Sequence, residues 1–230
     1  TMALEADFAM PINAGPEIGV ASTKAFTSQL TALLCLAITA GVQRGLIDEA
    51  REKSLTDALT QVPRLITETL KLDEDIEELA LDLSKASSAF YLGRGVHFPL
   101  ALEGALKLKE SSYIHAEGYA AGELKHGPIA LIDENMPVVF IAPQDAIYEK
   151  VVSNIQEVRA RNGRVIAIST EGNTQVAELA EHVIEVPDTL PFLSPILNVI
   201  PLQLLSYYIA VERGCNVDQP RNLAKSVTVE

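Results

Sequence analysis

The stretch "SAFYLGRGVHFPLALEGALKLKE", residues 88–110, begins as a short apolar run, turns at two glycines and continues as a helical pattern from Pro99. "YLGRG" reads as a strand that ends in a glycine turn. Proline is at home in the first turn of a helix, where its missing N–H removes no intrahelical bond. A strand feeding a helix is half of a βαβ unit. Three further runs share the same apolar, β-branched character: "PVVFIAP" (137–143), "RVIAIST" (164–170) and "HVIEVP" (182–187). Helical patterns separate them. Continuous apolar runs suit strands buried on both faces, so the expected fold class is α/β, a parallel sheet flanked by helices.

The chain is less complete upstream of this unit. "ADFAMPIN" (6–13) reads as a strand, a loop with Gly15, Pro16 and Gly19 follows, and a long apolar helix runs from about residue 22 to 42. Residues 46–84 are amphipathic, acidic and helical, with Pro63 expected to break them into two helices. One strand and one helix do not make a sheet. Residues 1–45 are therefore expected to be the C-terminal part of a first unit, 46–84 a helical connection, 85–215 a second unit and 216–230 a tail. The start at Thr1 rather than Met fits that expectation. By composition the tail, polar and without periodicity, reads as disordered.

Composition narrows the function classes. A chain of 230 residues with 48% hydrophobic content can bury a real core, and its net charge of −13 offers no basic stripe to neutralise nucleic-acid phosphates. The two cysteines, Cys35 and Cys215, form neither a disulfide framework nor a metal-type spacing, so a reducing cytoplasm is the expected compartment. No basic flank followed by an apolar stretch opens the chain. Residues 189–211 carry no formal charge and are long enough to span a bilayer, but Pro195, Asn198, Pro201 and Gln203 interrupt them. The expected structure there is a loop and then a buried core helix, with no membrane partner.

Residues 100–128, "LALEGALKLKESSYIHAEGYAAGELKHGP", otherwise read as buried helix yet hold three lysines, four glutamates and two histidines. On a helix, Glu103, Lys107 and Glu110 are i,i+4 and i,i+3 neighbours on one face. Leu100, Ala101, Ala105, Leu106 and Leu108 are left to pack on the other. Two readings compete. A surface helix laced with ion pairs, each worth about 0.2–0.5 kcal/mol, is one. A carboxylate base with an ammonium one turn away, suited to moving a proton next to a carbonyl, is the other. His126, in "LKHGP", is either a loop acid/base or a turn histidine bonded to backbone. His115 reads equally well as a buried packing histidine. Ser22 and Thr23, in "GVASTKAF", either cap a helix or meet a ligand oxygen.

Three motifs together, "ALEGALKLKESSYIHAEGYAAGELKHGP", "PEIGVASTKAFTSQL" and "DQPRNLAKSVTVE", resemble the sugar-isomerase part of the glutamine–fructose-6-phosphate aminotransferase (isomerizing) family. The similarity runs over essentially the whole chain. It implies sugar-isomerase (SIS) modules of flavodoxin-like topology, the first only partly present, and conversion of fructose 6-phosphate with glutamine-derived ammonia into glucosamine 6-phosphate. It further implies a homodimer, a glutaminase domain elsewhere in the full chain, and neither metal nor organic cofactor. Glu110 matches the base that moves the proton between C1 and C2, and Lys107 the lysine beside it. His126 matches the ring-opening histidine, supplied by the neighbouring subunit. Lys225 matches the C-terminal lysine implicated in imine formation, which makes the tail an ordered part of the site. Val20, Ser22 and Ala224 match substrate contacts. The family's phosphate-binding serine/threonine loop and its glutaminase cysteine have no counterpart here, and neither Cys35 nor Cys215 can replace that cysteine. The resemblance leaves two alternatives: a related sugar-phosphate deaminase or isomerase, and a non-catalytic sugar-phosphate sensor.

Overall fold

A computed structural model describes residues 2–226 of the chain. The elements, in order, are α1 (Met2–Glu5), α2 (Lys24–Gln43), α3 (Glu49–Thr69), α4 (Asp73–Leu83), β1 (Ser88–Gly93), α5 (Phe98–Ser112), β2 (His115–Ala120), β3 (Pro137–Ala142), α6 (Tyr148–Arg159), β4 (Arg164–Thr170), α7 (Thr174–Ala177), β5 (His182–Val186) and α8 (Ser194–Glu212). Short 3₁₀ turns fill several connections.

The five strands form one parallel sheet in the order β2-β1-β3-β4-β5, the doubly wound arrangement of flavodoxin-like folds. Alternation along each strand sends side chains to two cores. Tyr91, Ile141, Ile166 and Ile168 meet α4, α5 and α8 on one face. Phe90, Leu92, Phe140 and Ala167 meet α6 and the turns after β2 on the other. Every residue of β3 is buried, which is why "PVVFIA" reads as an unbroken apolar run.

The fold corrects four expectations. Residues 6–13 form no ladder with any described strand, and Phe8 stands 77% exposed; without a neighbour to pair with, an extended apolar segment is not a strand. Pro63 does not end its helix: α3 runs through it, held on both sides by the buried Leu55, Val62, Leu65 and Thr69, and the interruption falls at the 3₁₀ turn Leu70–Leu72. The helical reading of 100–128 stops at Ser112, where Tyr113 turns left-handed at φ 64° and its N–H caps the Lys109 carbonyl. "HAEGYA" then runs as the edge strand β2, in register with β1 from Ser88 opposite His115 to Gly93 opposite Ala120. Finally, Leu106 is 41% exposed rather than packed.

Among the described residues, two helices are long and apolar enough to cross a bilayer. In α8 the apolar residues serve the sheet's core: Leu197, Val199, Leu202 and Leu205 are fully buried, as expected of a core helix. By contrast α2 holds no buried residue, and Leu33 and Leu36 face outward from it.

Candidate active site

α5 packs beside α8 on one face of the sheet, and Glu103, Lys107 and Glu110 form its ionisable face. Lys107 is 5% exposed. Its ammonium donates to Glu110 Oε2 at 2.7 Å and lies 3.5 Å from Glu103 Oε1, so the three residues form one partly buried triad. Burial pushes the Glu103 carboxyl above its ordinary value; the Lys107 ammonium pulls it down, and the Glu110 charge adds to the rise. Ser111 Oγ, one turn on from Lys107, lies 2.7 Å from the Lys107 carbonyl and 3.2 Å from the Ser206 carbonyl of α8, tying the two helices together.

Beside the triad opens a cavity of about 320 Å³, lined by Lys107 and Ser111 of α5, Gln203 of α8, the 16–24 loop, and Val217 and Asp218 of the tail. Three segments distant in sequence therefore converge on Lys107. The loop and the tail are joined by backbone: the Val20 amide donates to the Asp218 carbonyl at 2.9 Å. The tail is held further by Tyr113, whose hydroxyl accepts the Arg221 amide at 2.8 Å and whose ring lies 4.1 Å from the Arg221 guanidinium. The disorder expected from composition is thus not found up to Ser226, and residues 227–230 of the tail motif lie outside the described residues.

The Lys225 ammonium donates to the Gly19 carbonyl at 2.5 Å and lies 3.4 Å from the Val20 carbonyl and 3.8 Å from Glu17 Oε2. Val20 and Ser22 are half-buried on this loop, and Ala224 is exposed beside Lys225. Ser22 Oγ donates to Glu17 Oε2 at 3.3 Å. Thr23 occupies the N-cap position of α2 but makes no side-chain cap; the Thr23 amide donates instead to Glu17 Oε1 at 2.6 Å. Burial alone would raise the Glu17 carboxyl. Hydrogen bonds from the Thr23 amide and hydroxyl and from the Ala25 amide, with the Lys225 charge, outweigh it and hold the group below the usual carboxylate range.

His126 stands apart. It is exposed at the end of a 3₁₀ turn, with Nδ1 2.7 Å from Glu123 Oε2, and it does not line the cavity. His115 is exposed at the start of β2, 3.3 Å from Glu117, rather than buried as a packing residue. Sequence reasoning found the α5 triad but missed Glu17, Gln203 and Ser111. The only local signal for Glu17 is an acid a few residues ahead of Ser-Thr at a helix start.

The SIS domain family profile matches residues 82–213. The glutamine–fructose-6-phosphate aminotransferase (isomerizing) of Mesorhizobium japonicum is 60% identical over 231 aligned residues, covering 100% of this chain and 38% of that protein. The chain thus spans well under half the length of the curated relatives it matches. Among solved structures, the C-terminal domain of glucosamine-fructose-6-phosphate aminotransferase from Francisella tularensis superposes with a TM-score of 0.90 at 43% identity, over 95% of this chain and 61% of that one. Glucosamine-6-phosphate deaminase from Thermotoga maritima shares the fold, with a TM-score of 0.68 at 24% identity over 92% of this chain and 59% of that one.

Proposed function

The chain belongs to the SIS domain family, and from that membership we propose that it is the sugar-isomerase portion of a glutamine–fructose-6-phosphate aminotransferase, turning fructose 6-phosphate and ammonia into glucosamine 6-phosphate. The observation that carries the proposal is the Lys107–Glu110 pair, 2.7 Å apart and mostly shielded from water, set beside a cavity that loop and tail help to line. Identity of 60% to an aminotransferase over the whole chain favours this reading over a deaminase or a sensor.

In the proposed reaction the open-chain ketose presents its C2 carbonyl to the Lys225 amine. Condensation there forms an imine and releases water, and ammonia later takes the place of the lysine nitrogen. Glu110 removes a proton from C1 and returns it to C2, so that the double bond moves to C1 and the amino group stays on C2. Lys107 holds the Glu110 carboxylate in place and offsets negative charge as it develops on the substrate oxygens. Val20, Ser22 and Ala224 orient the sugar. His126, outside the cavity of its own chain, opens the sugar ring in the cavity of a second subunit, which makes the working unit a homodimer.

Residues 1–45 are assigned to a first SIS module, 46–84 to its connection, 85–215 to a second module and 216–230 to an active-site tail. A glutaminase domain in the complete protein supplies ammonia, in the cytoplasm, and the reaction needs neither metal nor organic cofactor. The test is direct: the complete protein, given fructose 6-phosphate and glutamine, produces glucosamine 6-phosphate. Failure to form it, with glutamine still hydrolysed to glutamate, contradicts the assignment.

A further inference from the structure

We propose that Glu17 is a positioning residue for the reaction proposed above, holding the substrate-contact loop and the Lys225 amine in register with each other. The inference rests on that reading of the site and extends it to a residue with no role in it so far. The 22–25 segment and the Lys225 ammonium meet on this one carboxylate. Oε1 accepts the Thr23 amide at 2.6 Å and the Thr23 hydroxyl at 3.0 Å; Oε2 accepts the Ser22 hydroxyl at 3.3 Å and faces the Lys225 ammonium at 3.8 Å. The side chain is only 13% exposed, so these contacts are partly shielded from water and salt.

An ammonium has three N–H donors and no acceptor. Around Lys225 stand three acceptors, the carbonyls of Gly19 and Val20 and the Glu17 carboxylate. All three belong to the loop that carries Val20 and Ser22. The lysine that attacks the sugar and the residues that orient the sugar are thereby fixed to one short segment, and Glu17 supplies its only charged anchor among these contacts. The same carboxylate receives the free amide at the start of α2, which anchors that segment to a helix of 20 residues. A glutamine at this position can still accept the Thr23 amide but cannot balance the ammonium, which separates positioning from folding.

The test uses the complete protein and two variants, Glu17→Gln and Glu17→Asp. Borohydride in the presence of fructose 6-phosphate reduces the Lys225–C2 imine by adding hydride to its carbon, leaving a stable secondary amine that mass spectrometry locates on Lys225. The expected result for Glu17→Gln is an unfolding temperature close to that of the parent, a fall in kcat approaching 10²-fold, the scale of a misplaced reacting group, and a matching loss of the Lys225 adduct. Glu17→Asp, which keeps the charge, recovers a substantial part of both. Parent-like kcat and adduct yield in Glu17→Gln overturn the inference. So does a parallel loss of unfolding temperature and kcat in both variants, which marks Glu17 as structural only. If the parent protein itself forms neither product nor adduct, the functional assignment fails rather than the role of Glu17.

Discussion

Lys107 and Glu110, three residues apart on α5, hold their charged atoms 2.7 Å from each other with side chains 6% and 23% exposed. An exposed helix pair of this spacing contributes a few tenths of a kcal/mol and tolerates loss of either partner. Here desolvation changes the balance: a shielded charge that loses its partner is left without compensation. The geometry therefore sets this pair apart from a solvated helix face.

Removing the ammonium should expose this cost and its pH dependence. Lys107→Met leaves Glu103 and Glu110 facing each other, and breaking a buried pair costs about 3 kcal/mol or more. Burial already raises the Glu103 carboxyl, and Lys107 is the group that restrains the rise. A raised carboxyl binds more protons in the folded than in the unfolded state, so stability falls as pH climbs from the ordinary carboxylate value through the folded one. Removing Lys107 extends that window upward. Thermal unfolding should show a gap between variant and parent that is small near pH ~4 and large at pH ~7. An equal gap at both pH values contradicts the charge argument.

The position of α5 depends on a close approach to β2. A Cβ added at Gly118 would lie 2.7 Å from the Leu102 Cα and amide nitrogen and 2.8 Å from the Ala101 carbonyl carbon, all backbone atoms that cannot turn aside. Gly118→Ala should therefore lower stability by about 1–3 kcal/mol, and reduce activity beyond what the stability loss explains, because the helix carrying Lys107 and Glu110 must shift. Parent-like activity in a folded Gly118→Ala protein would show that the site tolerates that shift.

The legible part of this fold is its buried part. β1, β3 and β4 could be read from sequence because strands inside a parallel sheet are apolar on both faces and flanked by helical patterns, and β5, the other edge with His182 and Glu185 exposed, through its β-branched Val183, Ile184 and Val186. β2 could not: it is an edge strand with Glu117, Gly118 and an exposed His115, and only its register beside β1 makes it a strand. Residues 6–13 show the converse, strand-like in composition but unpaired. At the site, the α5 triad was legible because i,i+3 and i,i+4 spacing is local. Glu17 was not, since its partners are Ser22 and Thr23 across a loop and Lys225 at the far end of the chain.

Sharing of sites between subunits can be tested by mixing. His126 is exposed and paired with Glu123, away from the cavity that Lys107 lines. Subunits carrying His126→Ala and subunits carrying Glu110→Gln should each be inactive alone. In a mixed dimer one of the two sites regains both residues, so co-refolded mixtures should recover part of the parent activity. No recovery in mixtures shown to contain mixed dimers would place both residues in one chain's site.

Glu110 is assigned the proton transfer between C1 and C2, and deuterium exchange reads this step without requiring ammonia. The complete protein is incubated with fructose 6-phosphate in D₂O and the C1 protons are followed by NMR, while calorimetry measures sugar binding to parent and Glu110→Gln proteins. The expected result is parent-catalysed exchange at C1, and in Glu110→Gln unchanged binding with exchange slowed by about 10²–10⁴-fold, the contribution of a positioned general base. Exchange at the parent rate in a Glu110→Gln protein that binds the sugar normally would contradict that assignment.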